Sequence, residues 1–99
     1  MEFRSIVLSV QDGQGIKVIP DQYKTILIRT NEDITTRGED DTTSVVLVND
    51  MHQQKFSKKG EDVKFTATVG QKTLERFYKV ASDGCHIELL EGETKIIVQ

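Results

Sequence analysis

Alternation of apolar and polar positions organises this chain, and it is cleanest in the second half. Val63, Phe65, Ala67 and Val69 alternate with Lys64, Thr66 and Thr68, which gives a strand one apolar and one solvated face. Cys85, Ile87 and Leu89 repeat the pattern, and Lys95-Ile96-Ile97-Val98-Gln99 adds a further apolar run. Turn chemistry separates these segments at Gly70-Gln71, Asp83-Gly84 and Glu91-Gly92. Asp-Gly between apolar runs is a hairpin signal, because a type I′ turn requires positive φ at both central residues. Residues 62–99 therefore predict an antiparallel β-meander.

The first half predicts strands of the same kind. Ile6, Leu8 and Val10 share one face of a first strand. Asp12-Gly13-Gln14-Gly15 supplies a reversal, and residues 16–19 return as a second strand. Pro20, the sole proline, ends it, because its ring carries no N–H for a further ladder bond. Residues 24–30 form a third strand, with Ile26 and Ile28 on one face and Leu27 and Arg29 on the other. The unbroken apolar run Val45-Val46-Leu47-Val48 predicts a strand covered on both faces, as a central strand is. Residues 51–57 are weakly patterned and are assigned to a short edge strand. Lys58-Lys59-Gly60-Glu61 is a turn.

Residues 72–81 read in two ways. As a strand they set Leu74, Arg76, Tyr78 and Val80 on one face, with the arginine interrupting an apolar row. As a helix they stack Leu74, Phe77, Tyr78 and Ala81, pair Glu75 with Lys79 at i,i+4, and find a stop in Gly84. Strand neighbours on both sides favour the strand. The fold class is all-β, a compact antiparallel β-sandwich or small β-barrel of roughly eight or nine short strands. The alternative is α+β, with one helix at 72–81.

Composition narrows the function. The chain has 99 residues, enough for one domain over 1–99, with 36% hydrophobic and 29% charged residues; that apolar content argues for a folded core. A net charge of −3, from 13 basic and 16 acidic residues, gives no general attraction to phosphate or anionic lipid. Cys85 is the only cysteine, so no internal disulfide forms and a reducing compartment is the simpler expectation. The apolar run near Met1 is too short for a signal sequence or a membrane span. The expected location is cytoplasmic, with no membrane partner.

Residues 31–43 are polar apart from Ile34, a loop of about a dozen residues and long for a compact domain. Its charged side chains Glu32, Asp33, Arg37, Glu39, Asp40 and Asp41 are candidates for reading a partner. No catalytic constellation is evident. Cys85 and His86 are adjacent and point to opposite faces of a strand, no zinc-type spacing of ligands exists, and the acidic loop lacks the oxygen-ligand pattern of a calcium loop. No cofactor, no metal and no enzymatic activity are expected. Gly13-Gln14-Gly15 lacks both common phosphate-binding glycine spacings.

Two binding functions remain. Val7, Leu27, Phe77, Leu90 and Ile96 or Ile97 add apolar side chains on second faces of strands, beyond the needs of one small core. That excess points to a protein-binding module, an assembly subunit, adaptor or small inhibitor, with a second copy of the chain among its candidate partners. It would act through a sheet platform, an edge strand and the acidic loop. The alternative is a single-stranded oligonucleotide-binding barrel. Lys55, Phe56, Lys58, Lys59, Lys64, Arg76 and Lys79 interleave cations with aromatics, as base-stacking faces do.

Overall fold

The computed structural model describes residues 5–35, 45–84 and 86–98. Arg37, Glu39, Asp40, Asp41 and Cys85 lie outside the described residues. Among the described residues there are eight strands: β1 (Ser5–Asp12), β2 (Gln22–Leu27), β3 (Glu32–Asp33), β4 (Val45–Asn49), β5 (Glu61–Val69), β6 (Lys72–Ser82), β7 (Ile87–Glu91) and β8 (Lys95–Val98). They form a three-stranded sheet ordered β4-β1-β8 and a five-stranded sheet ordered β3-β2-β5-β6-β7. The sheets bury a common core in which Leu8, Val10, Leu47 and Ile96 of the smaller one meet Leu27, Val63, Phe65 and Val80 of the larger.

The alternation read from Val63 to Ala67 is real. Val63, Phe65 and Ala67 are buried, and Lys64 and Thr66 face outward. Residues 72–82 form a strand and not a helix, because each residue from Lys72 to Val80 finds a partner on β5. The meander runs from β5 to β7, and there the expectation for residues 62–99 needs correction. β8 leaves the larger sheet and pairs in parallel with β1, Ser9 opposite Lys95 and Val10 opposite Ile96. The apolar face of a sheet must be covered, and this crossover carries Ile96 onto the core.

Three further expectations are corrected. Residues 16–19 form no strand: a single bridge joins Gln11 to Lys17. The Asp12 carboxylate accepts the Gln14 and Ile16 N–H groups, which holds the start of this segment in a side-chain-capped turn. Residues 50–55 form a 3₁₀ segment, Asp50–Lys55, kinked at His52, in place of an edge strand. Asp83-Gly84 does not form a two-residue type I′ turn. Asp83 keeps an ordinary φ, and its N–H and carboxylate both bond back to His86, which widens the connection.

The run from Val45 to Val48 is buried throughout, although β4 pairs only with β1 among the described residues. A bulge explains this. Ile6 faces Val48 and Val7 faces Val46, so Leu47 has no ladder partner, and the extra residue turns inward. Its carbonyl accepts the hydroxyl of buried Thr25 at 2.6 Å, a bond that ties the two sheets together.

Candidate functional site

The longest strand, β6, is only partly paired on its second side. The β5–β6 loop is two residues, with Val69 opposite Lys72 and Gly70 at a φ of 61°. Glycine first and an ordinary φ second is the arrangement of a type II′ turn. The pair flanking such a loop is hydrogen-bonded, and bonding then alternates along the ladder. Lys72, Leu74, Arg76 and Tyr78 therefore turn their peptide groups toward β5. Thr73, Glu75 and Phe77 turn theirs away. β7 reaches only Lys79, Val80, Ala81 and Ser82, so no strand among the described residues meets the peptide groups of residues 73, 75 and 77.

The smaller sheet contributes a second open edge beside the first. The Ser9 N–H donates to the Thr94 carbonyl at 2.7 Å, which fixes the phase of the parallel β1–β8 ladder and points the Lys95 and Ile97 peptide groups away from β1. Between the two edges lies an open groove of about 670 Å³, lined by Arg76 and residues 92–97. Arg76 stands opposite Phe65 and so shares the inward face of β6. Its Nη1 donates to the outward-turned Glu75 carbonyl at 2.9 Å. Neither Arg76 nor Lys95 takes part in an ion pair with a described residue.

The floor of the groove is fixed by Tyr78. Its hydroxyl donates to the Glu93 carbonyl at 2.7 Å, and its ring lies against Gly92, whose φ is 120°. Burial pushes the Tyr78 phenol up to about 12, the nearby Arg76 charge opposing and the Glu93 charge adding to that shift. On the outer face of the same sheet Phe77 is 60% exposed. It stands across from Lys64, which in turn faces Ile26.

The other candidate residues fall elsewhere. Glu32 and Asp33 are β3 itself, and both carboxylates are engaged within the chain. Glu32 accepts from the Lys55 ammonium at 2.6 Å. Asp33 accepts the Thr35 hydroxyl and the Thr35 N–H; these two bonds, hydroxyl first, hold its carboxyl below the usual range, with Lys24 assisting and burial opposing. The lysine and aromatic set is scattered. Phe56 is buried in the core and offers no ring for stacking. Lys55 is occupied by Glu32, Lys58 and Lys59 sit in the turn before β5, Lys64 and Lys79 face outward, and Arg76 faces the groove.

Sequence reasoning missed Asp50. Its carboxylate accepts the Ile87 N–H at 2.9 Å and meets His86 Nδ1 at 2.8 Å, with the two side chains 7% and 19% exposed. It braces the start of β7 against the 3₁₀ helix. Among the described residues no three His, Cys, Asp or Glu side chains gather as a metal site would require, and no helix is long and apolar enough to cross a membrane. Comparison with protein families, with characterised proteins and with solved structures finds no match to the chain.

Proposed function

We propose that this domain is a non-enzymatic protein-binding module, an assembly subunit, adaptor or small inhibitor. It captures an extended segment of its partner as an added strand on β6. The observation that carries the reading is the side of residues 72–77 that meets no strand among the described residues, next to an exposed Phe77. Unpaired strand edges are templates for strand addition: the main chain supplies affinity and alternate side chains supply selectivity. Phe77 then provides apolar area at the centre of the contact, and the sheet behind it supplies rigidity.

The test is capture from a lysate of the native cells, with and without nuclease, using the tagged wild type and Glu75→Pro. Proline at 75 removes an N–H that points away from β5, so it blocks the edge and leaves the β5 ladder intact. A protein that survives nuclease and is lost with Glu75→Pro supports strand addition. Equal capture by a folded Glu75→Pro variant contradicts it. Capture that depends on nucleic acid favours the oligonucleotide-binding alternative, for which Lys64, Arg76 and Lys79 are the cations near the edge.

A further inference from the structure

The side chains around this edge restrict what is added to it. A second copy of β6 is a poor occupant in three antiparallel registers. Antiparallel pairing of two β6 edges centred on Glu75 sets Glu75 against Glu75, and centring on Arg76 sets Arg76 against Arg76. Centring on Leu74 brings Lys72 opposite Arg76. Like charges directly opposite are destabilising across a ladder. Those three registers are disfavoured for a second copy, and a strand of different sequence avoids their like-charge pairs.

The inward face supplies the positive requirement. An added strand places alternate side chains over the groove between β6 and β8 and the intervening ones on the outer face beside Phe77. Arg76 borders the groove from the inward face of β6 and Lys95 from the edge of β8, and neither is ion-paired with a described residue. Among the described residues the Arg76 guanidinium is engaged by the neutral Glu75 carbonyl, a bond that an incoming N–H can replace. The charge it then releases lies where an inward side chain of the added strand would arrive. Glu93 is the one acid among the described residues of the groove lining, and its carbonyl is held by the Tyr78 hydroxyl. Arg76, opposite Phe65 on the inward face, is the cation that an inward carboxylate meets.

We infer that the partner segment is an extended peptide of alternating acidic and apolar residues. Its carboxylates enter the groove beside Arg76, and its apolar side chains lie along Phe77. This rests on the strand-addition reading and adds the chemistry of the occupant.

The experiment uses the full chain and three short synthetic peptides in which valine alternates with glutamate, with serine or with lysine, together with an oligothymidylate. Backbone amide shifts report where each binds. The glutamate peptide is expected to bind about tenfold more tightly than the lysine peptide. It should perturb the amides of Thr73, Glu75, Phe77 and Lys95. Arg76→Glu, an exposed change, should reverse the order of the two charged peptides.

If all three peptides perturb those amides with equal affinity, strand addition stands and the acidic preference is wrong. If none perturbs them, both fail. A glutamate preference that Arg76→Glu leaves unaltered overturns the assignment of the groove. Perturbation of the same amides by oligothymidylate in place of peptide overturns it in favour of phosphate recognition.

Discussion

Gly92→Ala is the substitution that the crossover from β7 to β8 tolerates least. A Cβ at this position runs into Tyr78 Cδ1 and comes within 2.9 Å of Cε1 and 3.0 Å of Cγ. The backbone φ of 120° lies in a region that side chains with a Cβ rarely enter, a strain of about 1–3 kcal/mol. The ring cannot retreat cheaply, because Tyr78 is buried and its hydroxyl holds the Glu93 carbonyl. Breaking that bond adds about 1 kcal/mol. Strain, lost bond and displaced ring together give about 3–5 kcal/mol, a large part of the roughly 5–15 kcal/mol of a small domain.

Urea unfolding followed by circular dichroism measures the loss, and a second background isolates its origin. With Tyr78→Leu in place the ring is gone, so the glycine substitution should cost only its backbone strain, about 1–3 kcal/mol. Equal costs in the two backgrounds would refute a steric origin.

Other outcomes follow from the same contacts. Thr25→Val leaves the Leu47 carbonyl at the bulge without its donor and should destabilise the domain by about 1–3 kcal/mol in thermal melts. Burial, aided by the Lys55 charge and opposed by Glu32, lowers the His52 pKa below 6.5. The unfolded chain therefore binds that proton first, and stability should fall as pH drops below 6.5 toward the folded value, a decline that His52→Gln flattens in urea titrations. Tyr78 behaves oppositely at the other end of the scale. Its folded value of about 12 exceeds the ordinary 10.0, so stability is full below 10 and is lost between 10 and 12, a loss absent from Tyr78→Phe. Phe77→Ser removes exposed apolar surface, so it should weaken partner capture while leaving the urea midpoint nearly unchanged.

The strands with strict alternation were legible because burial of one face imposes a period of two. β1, β5 and β6 show this most clearly: Leu8 and Val10, Val63 and Phe65, and Tyr78 and Val80 all lie inward. The segments that failed are those where side-chain hydrogen bonds outweigh periodicity. Asp12 caps the turn that begins residues 13–19, Asp83 widens the turn before β7, and Asp50 holds the start of a 3₁₀ helix where an edge strand was expected. A crossover between sheets has no local signature, so the parallel pairing of β8 with β1 was hidden. Part of the candidate site was visible all the same. Arg76 interrupts the apolar row Leu74, Tyr78, Val80, and a charged side chain on an inward face marks the place where the sandwich opens. What the sequence could not show is that β7 ends opposite Lys79, which leaves the edge open among the described residues.

Residue-resolved amide hydrogen exchange along β6 in the free protein tests the open edge most directly. Strand addition requires that Leu74 and Arg76, bonded to β5, exchange slowly, while Thr73, Glu75 and Phe77 exchange fast, and that this alternation vanish when the captured partner is bound. Slow exchange at Thr73, Glu75 and Phe77 in the free protein would mean that the edge is already paired, and would contradict the proposed function.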